Sequence, residues 1–348
     1  MGKKKFTGVS QFLARFRGWI QAGAALLTNL HLPNFLKGRL YQGAGKTVCV
    51  PGLNCYSCPA ASGACPIGAF QAVVGSSKFS FSYYITGILI LLGVLLGRFI
   101  CGFLCPFGWF QELLHKIPSR KLSTRKLKPL RYLKYAILLV MVFLLPAFLV
   151  NDVGMGDPFF CKYLCPQGVL EGAIPLSLAN SGIRAALGSL FTWKLGILLV
   201  VIVLSVLFYR PFCKWICPLG AFYALLNKVS LVQMKVDQSK CISCGKCAKA
   251  CKMDVDVTKS PNHTECIRCG MCVRACPTNA VHFRCGFGTG KQGTVLPEKT
   301  NKQMNDIVKE KNHEHENDQN SDRTAPRCAG AQPCCLQQAA SERRQHGN

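Results

Sequence analysis

The chain has 348 residues, of which 49% are hydrophobic and 17% charged, and its mean hydropathy is +0.21. These values and several long apolar runs exclude an ordinary soluble protein and favour a membrane protein with a soluble appendage. The net charge of +26 does not predict nucleic-acid binding, because the basic residues flank the apolar runs and no DNA- or RNA-binding motif accompanies them. Twenty-two cysteines in a chain of this length also exclude a small secreted disulfide scaffold.

Four apolar stretches approach the roughly 20 residues that a ~30 Å hydrocarbon core requires. They are residues 18–36, 81–100, 132–150 and 193–209. The first contains Asn29, His31 and Pro33, so an interfacial or re-entrant segment is an alternative there. Residues 1–17 are basic and have no signal-peptide core, and basic residues also separate the second and third stretches. This pattern predicts a multi-pass protein of the cytoplasmic membrane, in contact with lipid, with both termini in the cytoplasm.

The predicted membrane domain, residues 18–230, contains the sequence Cys-Pro-x-Gly four times. We number these boxes 1 to 4 by their cysteines, which are Cys65, Cys105, Cys165 and Cys217. In boxes 2, 3 and 4 another cysteine stands four residues earlier, at Cys101, Cys161 and Cys213, whereas box 1 has Cys55 and Cys58 upstream. The order of helix, outer box, helix and inner box then repeats, which indicates an internal duplication.

The predicted topology sorts these cysteines into two sets on opposite faces of the membrane. The inner set is Cys101, Cys105, Cys213 and Cys217, and four thiolates are the full complement of one iron–sulfur cluster. The outer set offers five candidates for a second four-coordinate site: Cys55, Cys58, Cys65, Cys161 and Cys165. The proline is expected to end or redirect the chain, and the glycine to allow close approach of a bulky group. Simple helix stops, and disulfides in the outer set, are the alternatives.

Clusters on opposite faces would be separated by something near the ~30 Å apolar core, which is too far for one efficient electron hop. An intermediate carrier or a closer approach of the two sets is therefore needed. A quinone is the leading candidate carrier, with Trp109, Phe110 and Tyr163 as aromatic residues that could contact it. Ordinary anchoring of interfacial aromatic residues is the alternative interpretation.

Residues 231–285 contain one cysteine spacing twice. The first copy is Cys241, Cys244, Cys247 and Cys251, and the second is Cys266, Cys269, Cys272 and Cys276. This spacing is typical of two-cluster bacterial ferredoxins, in which the fourth cysteine of each run binds the other cluster. We therefore predict two [4Fe–4S] clusters, one on Cys241, Cys244, Cys247 and Cys276 and the other on Cys266, Cys269, Cys272 and Cys251. Zinc knuckles and disulfides explain the repeated spacing less well.

The box motifs Cys101-Gly-Phe-Leu-Cys105-Pro106 and Cys213-Lys-Trp-Ile-Cys217-Pro218, together with the ferredoxin pair, resemble the membrane-bound 4Fe–4S polyferredoxins related to NapH and NosR. The resemblance covers about residues 18–283. It implies a mainly α-helical integral membrane domain with about four spanning helices in a duplicated arrangement, followed by a C-terminal α+β two-cluster ferredoxin-like domain. Residues 286–348 are polar, lack apolar periodicity and are predicted to be a disordered tail that includes Cys328, Cys334 and Cys335.

Two functions follow from these expectations. In the first, the chain relays electrons between a cytoplasmic donor or acceptor, with the quinone pool as a candidate, and a partner oxidoreductase. One or two further clusters in the boxes would extend that route into the membrane. In the alternative, the chain is an accessory protein that reduces metal ions or helps a metalloenzyme to mature. No terminal catalytic site is predicted, because the sequence has no Rossmann fingerprint, no P-loop and no nucleophile with a base.

Overall fold

The computed structural model describes residues 2–76, 82–152 and 155–286, all within one compact unit. The predicted disordered tail, with its three cysteines, lies outside the described residues. The helices of the described part are α1 Gly2–Thr28, α2 Asn34–Lys37, α3 Pro66–Gly75, α4 Tyr83–Leu95, α5 Phe99–Phe103, α6 Pro106–His115, α7 Leu127–Phe148, α8 Phe160–Leu164, α9 Val169–Ala179, α10 Ser181–Ala185, α11 Ser189–Leu207, α12 Pro211–Trp215, α13 Pro218–Leu226, α14 Lys246–Ala250 and α15 Met271–Ala275. The strands are β1 Val232–Val236 and β2 Val281–Cys285.

Helices α7 and α11 are long and apolar enough to cross a membrane. Their 22 and 19 residues correspond to the predicted spans 132–150 and 193–209. Helix α7 is irregular, because it begins as a 3₁₀ turn that contains Pro129 and becomes a π-helix over Leu138–Leu144. These two helices are the only ones among the described residues with the length and hydropathy of a full span.

The other two predicted spans do not form helices over their whole lengths, so four full spans are not confirmed. Helix α1 ends at Thr28, where the Thr28 hydroxyl donates to the Ala24 carbonyl at 2.9 Å and the Asn29 amide donates to the Ala25 carbonyl at 3.1 Å. These side chains satisfy the last carbonyls and end the helix before residue 36. Helix α4 ends at Leu95 because Gly97 adopts a left-handed conformation, with φ of +56°.

The Cys-Pro boxes begin helices. In boxes 1, 2 and 4 the cysteine is the extended N-cap residue, and the following proline opens helix α3, α6 or α13. Proline suits this position because its φ is already helical and its missing N–H would have had no helical partner. The expectation that proline ends or redirects the chain is therefore refined: the chain turns at the cysteine, and the proline starts the next helix.

The segment after α13 has the predicted ferredoxin-like form, with two short helices between two strands. Strands β1 and β2 pair antiparallel, in a register that places Val232 opposite Cys285 and Val236 opposite Val281. Their apolar face is buried with Phe103 of α5 and Ala14 of α1. The segment therefore packs against the helical part of the chain.

Candidate iron–sulfur centres

Both cysteine loops of the ferredoxin-like segment have the same backbone conformation. Ser243 and Arg268 have φ of +53° and +52°, and Gly245 and Gly270, two residues later, have φ of +67° and +75°. Two left-handed residues in seven allow each loop to curl around a bulky group. Helices α14 and α15 then begin directly after the two glycines.

We name the set Cys266, Cys269, Cys272 and Cys251 the second ferredoxin site. These four cysteines line one cavity together with apolar side chains that include Met253, Val255 and Ile267. Burial raises the pKa of the Cys272 thiol, and the other three thiols of the set raise it further. A cavity with four cysteines in an apolar wall fits a [4Fe–4S] cluster, which would supply one-electron transfer there. Within the described ranges, no three His, Cys, Asp or Glu side chains have the spacing of ligands around a single metal ion.

The first ferredoxin site is the set Cys241, Cys244, Cys247 and Cys276. Cys241, Cys247 and Cys276 pack around the small apolar core that strands β1 and β2 form with Phe103 and Ala14, whereas Cys244 is exposed. The Cys276 sulfur accepts the Ala280 amide at 3.3 Å. Burial acts to raise the pKa of the Cys276 thiol, but hydrogen bonds from Thr278, Ala280 and Val281 hold it below its ordinary value. Cys244 is thus an exposed member of this site, whereas the four cysteines of the second site are all partly buried.

The inner set lies together in the core of the helical part. Its four cysteines, Cys101, Cys105, Cys213 and Cys217, are all buried. Burial raises the pKa of the Cys217 thiol, and the three other thiols of the set raise it further. Two donors point at the sulfurs: the Gln111 side-chain amide donates to Cys213 Sγ at 3.2 Å, and the Gly220 amide donates to Cys217 Sγ at 3.3 Å. Four buried thiols with hydrogen-bond donors fit a cluster of the same kind.

The outer candidates separate into four cysteines that lie together and one that does not. Burial and neighbouring thiols raise the pKa of Cys165, and those neighbours are Cys161, Cys55 and Cys65. Cys58 packs with Ala60 and Ala61 in a small cluster that Cys55 also contacts, and its thiol contacts the Asn29 side-chain oxygen at 3.6 Å. The structure therefore groups Cys55, Cys65, Cys161 and Cys165, which we name the outer set.

The outer and inner sets have a matching glutamine that the sequence analysis did not identify. Gln71 donates to Cys161 Sγ at 3.2 Å and accepts the Phe160 amide at 3.0 Å. Gln111 donates to Cys213 Sγ at 3.2 Å and accepts the Phe212 amide at 3.2 Å. Each glutamine stands six residues after the cysteine of box 1 or box 2 and holds the first cysteine of the partner box. An alignment of the boxes on Cys-Pro-x-Gly would have revealed it, because both read Phe-Gln at that point.

The sets lie closer together than separate membrane faces would require. A Cβ on Gly52, in the loop that leads to the outer set, would lie 2.8 Å from the Cys105 Cα. The Tyr223 hydroxyl donates to the Pro51 carbonyl at 3.1 Å, and Tyr223 is close enough to Cys65 and Cys105 for both to act on its pKa, which burial raises. The loop of the outer set therefore reaches the inner set directly.

The inner set also adjoins the second ferredoxin site. A Cβ on Gly102, the residue after Cys101, would overlap the carbonyl oxygen of Ile267, which belongs to the Cys266–Cys269 loop. Arg17 of α1 donates through Nε to the Gly102 carbonyl at 2.9 Å. The cysteine sets thus follow one another in space: second ferredoxin site, inner set, outer set.

Two buried ion-pair networks border the inner set. In one, Glu265 pairs with Arg98 at 2.9 Å and with Lys134. In the other, Glu112 pairs with Arg210 at 2.9 Å and with Arg17. Burial acts to raise the pKa of the Glu112 carboxyl, but the two arginines hold it below its ordinary value. The networks join the helical part to α1 and to the ferredoxin-like segment.

The three aromatic residues predicted to contact a quinone occupy different surroundings. Trp109 borders a cavity that also touches Gln21, Arg17, Glu112 and Cys269. Phe110 stacks on Phe107 with ring centroids 6.0 Å apart, and the Tyr163 backbone accepts the Trp193 indole at 3.1 Å. Trp109 is therefore the member of the three that borders a cavity beside a ferredoxin-site cysteine.

Comparison with known proteins agrees with this cysteine arrangement. Residues 63–84, 80–125, 134–174 and 190–237 match a family model described as a 4Fe–4S binding domain, and residues 234–255 and 260–282 match a second model with the same description. No solved structure matches the chain.

The curated relatives match about half of the chain. An uncharacterized protein of Methanocaldococcus jannaschii is 28% identical over 182 residues, which are 49% of this chain and 66% of the relative. The putative electron transport protein YccM of Escherichia coli is 28% identical over 179 residues, which are 49% of this chain and 45% of the relative. The ferredoxin-type protein NapH of Haemophilus influenzae is 26% identical over 179 residues, which are 51% of this chain and 54% of the relative.

The matches thus span about half to two thirds of these relatives' own lengths. The family models match both the box region and the ferredoxin-like segment, and the relatives include proteins named for electron transport and for ferredoxin character. The predicted resemblance is confirmed: the chain contains 4Fe–4S binding domains in both regions and is similar to the membrane polyferredoxin-like proteins.

Proposed function

We propose that this chain is a membrane-anchored electron-transfer protein that relays electrons between a cytoplasmic redox partner and a partner oxidoreductase. One observation carries the proposal: the second ferredoxin site, the inner set and the outer set follow one another, and the chain bridges them through the Ile267 to Gly102 and Gly52 to Cys105 contacts. Helices α7 and α11 support the membrane anchor. A route through several clusters divides the distance that a single electron hop across the ~30 Å apolar core would have to cover.

The ligands under this proposal are the two ferredoxin sites, the inner set and the outer set, each with one [4Fe–4S] cluster. Cys55 serves as the fourth outer ligand, because it lies with Cys65, Cys161 and Cys165 and its sulfur would be 3.7 Å from a Cβ on Gly168 of box 3, whereas Cys58 adjoins Cys55 and packs with Ala60 and Ala61. The Glu171 carboxylate accepts the Cys55 amide at 2.9 Å and so fixes that loop. Cys58 is then a buried neighbour of the centre and has no role as a ligand.

The experiment that tests the proposal is the iron and acid-labile sulfide content of the full chain, purified anaerobically in detergent. Four cubanes give about 16 irons per chain, and the ferredoxin sites alone give about eight. A variant with Cys101, Cys105, Cys213 and Cys217 changed to alanine is expected to lose about four irons. Cys49→Ala is the matched control, because Cys49 is equally buried but belongs to none of the four sets. About eight irons in all three proteins would overturn the proposal for the membrane domain.

The cavity beside Trp109 is the place where we propose that a quinone head group binds. Gln21 lines this cavity, is 1% exposed and has a side-chain nitrogen without a hydrogen-bond partner, so it could donate to a quinone carbonyl. Cys269 of the second ferredoxin site lies in the same wall. A quinol analogue is expected to change the EPR spectrum of the second ferredoxin cluster in the native chain and not in Gln21→Leu. An unchanged spectrum in both would exclude the quinone.

The accessory role in metal reduction or metalloenzyme maturation is the second candidate, and Cys58 is the observation that favours it. This thiol lies beside the outer set without belonging to it. If it handles metal, Cys58→Ala would abolish metal binding and leave the partner enzyme immature while the iron content of the chain stays intact. Unchanged metal binding in this variant would remove that role.

A further inference from the structure

Both inner boxes have an arginine three residues before their first cysteine. Arg98 precedes Cys101, and Arg210 precedes Cys213. The outer boxes differ: Pro158 stands three residues before Cys161, and box 1, which has no cysteine four residues before Cys65, has Gly52 three residues before its upstream Cys55. The arginines therefore distinguish the inner half of the duplication from the outer half.

The two arginines are placed reciprocally across the inner set. A Cβ on Gly220 of box 4 would lie 3.7 Å from Nη2 of Arg98, and a Cβ on Gly108 of box 2 would lie 2.9 Å from Nη1 of Arg210. Each guanidinium thus lies against the glycine of the other box. Arg210 also has φ of +51°, a left-handed conformation that glycine adopts more readily. Its side chain is therefore present at a position where a non-glycine residue strains the backbone.

Each arginine is fully buried and has an unused donor. Arg98 donates through Nη1 to Glu265 and to the Thr264 carbonyl at 3.0 Å, and Arg210 donates through Nη1 to the Cys101 carbonyl. Nη2 of both residues has no hydrogen-bond partner. Buried donors without partners are rare and unfavourable, so a missing acceptor is expected next to each.

The charge of the two networks leads to the same expectation. Arg98 and Lys134 face the single carboxylate of Glu265, and Arg210 and Arg17 face that of Glu112. Each network therefore carries one surplus positive charge, and surplus buried charge is strongly unfavourable unless it is balanced. A cubane held by four thiolates carries about two negative charges in its oxidised form, which equals the surplus.

We propose that Arg98 and Arg210 donate to sulfur atoms of a cluster on the inner set and balance its charge, which makes that centre easier to reduce. This inference rests on the proposed function. When a neighbouring reduced cluster gives up one electron and the inner cluster accepts it, the inner cluster gains one negative charge. The two cationic networks favour that change, since positive charge and hydrogen bonds to sulfur raise a reduction potential.

Charge balance alone predicts that the reduction potential of the inner cluster shifts in opposite directions for two kinds of substitution. Arg98→Gln and Arg210→Gln remove a positive charge and should make the inner cluster harder to reduce. Glu112→Gln removes a negative charge and should make it easier to reduce. Arg17→Gln removes the surplus charge of its network but leaves the Arg210 donor in place, so it should shift the potential in the same direction as Arg210→Gln and by less.

The test is an EPR-monitored redox titration of the full chain in detergent, with iron content measured on the same samples. The inner signal is identified as the one that disappears in the variant without Cys101, Cys105, Cys213 and Cys217. Arg98→Gln and Arg210→Gln are each expected to lower the equilibrium constant for reduction of the inner cluster at least tenfold. This corresponds to a fall of about 59 mV in its reduction potential for a one-electron couple. Arg98→Lys and Arg210→Lys retain the charge and should recover part of the shift.

Lys194→Gln is the matched control, because Lys194 lies beside the outer set and donates to the Cys161 carbonyl at 3.1 Å. It should leave the inner signal unchanged. The proposal would be overturned if Arg98→Gln and Arg210→Gln kept the native inner potential at full iron content. It would also be overturned if the inner potential shifted in the same direction in these two variants and in Glu112→Gln. If a glutamine variant loses iron, the lysine variants and Glu112→Gln decide the question. A native chain with about eight irons would instead disprove the proposed function on which the inference rests.

Discussion

Gly52 lies directly against Cys105, although Gly52 belongs to the loop that leads to the outer set and Cys105 to box 2 of the inner set. A Cβ at residue 52 would stand 2.8 Å from the Cys105 Cα and 3.1 Å from the Leu104 carbonyl oxygen. Contacts with backbone atoms cannot be relieved by rotating a side chain. The loop of the outer set and the turn of the inner set therefore fit together only with glycine at this position.

Replacing Gly52 with alanine should loosen both cysteine sets, because the loop must move away from Cys105. Overpacking of this kind typically costs about 1–3 kcal/mol, and we expect a lower thermal unfolding temperature and partial loss of iron. Gly87→Ala is the control, because a Cβ there meets nothing within 4 Å. Equal iron content and unfolding temperature in the two variants would contradict the close packing.

Cys55 and Cys58 should respond differently to substitution. Cys55→Ala removes a member of the outer set, so we expect loss of the outer [4Fe–4S] EPR signal. Cys58→Ala should retain that signal, because this thiol contacts Asn29 and packs with Ala60 and Ala61. Since the two cysteines are only three residues apart, each variant controls for disturbance of the loop by the other. The opposite result would assign the fourth ligand to Cys58.

Gln71→Leu and Gln111→Leu should each destabilise the chain. Both glutamines are fully buried and accept a backbone amide, from Phe160 and Phe212 respectively. Leucine leaves that amide without a partner, which costs about 1–3 kcal/mol. The free energy of unfolding measures this loss, and the potential of the corresponding cluster should fall as well because one N–H to sulfur contact disappears.

Stability should depend on pH through Glu112. Its carboxyl faces Arg17, Arg210 and the hydroxyl of Tyr209; burial opposes ionisation, but the arginines hold its pKa below the usual value of 4.5. A carboxyl with a lowered folded-state pKa contributes stability above the unfolded-state value, and this contribution is lost as pH falls through the folded-state pKa.

We therefore expect the native chain to lose stability as pH drops below about 4.5, the ordinary carboxyl value. Glu112→Gln should be less stable than the native chain at neutral pH and should lack this part of the acid dependence. Thermal unfolding from pH 7 downward measures both effects. Parallel pH profiles for the two proteins would show that the Glu112 pair does not contribute.

The face around Cys244 should bind a negatively charged redox partner. Cys244 is exposed, Ile242 beside it is 64% exposed, and Lys240, Lys246 and Lys249 are exposed nearby. Complementary charge mainly accelerates association. Lys246→Glu with Lys249→Glu should slow electron exchange with an acidic one-electron carrier such as a flavodoxin by roughly tenfold or more at low salt, with little effect at high salt. Lys37→Glu, far away in the chain on α2, should have no effect.

The sequence predicted the chemistry of the sites better than the course of the chain between them. The repeated spacing of Cys241 to Cys276 predicts 4Fe–4S binding from local geometry, and a family model described as a 4Fe–4S binding domain matches that segment. Topology also grouped Cys101 with Cys213, although charge counting could not choose between Cys55 and Cys58. That choice depends on how one loop packs, which no local pattern records.

Helix boundaries and contacts between segments were less predictable. Hydropathy placed α7 and α11 within a few residues, but it extended the first and second stretches beyond Thr28 and Gly97, where side-chain capping and a left-handed glycine end the helices. The buried arginines escaped notice because a basic residue beside an apolar run ordinarily indicates a membrane boundary. Only the fold shows that Arg98 and Arg210 turn inward.

The contact between Gly102 and Ile267 also limits how the ferredoxin-like segment can move. The Ile267 carbonyl occupies the space of a side chain at residue 102, and Arg17 binds the same peptide from the other helix. A carrier that swung between donor and acceptor would have to break this junction, together with the buried Arg98 to Glu265 pair, in every cycle. The ferredoxin-like segment is therefore fixed in place during electron transfer. Any carrier that moves between the donor and the acceptor must be a separate, diffusing protein.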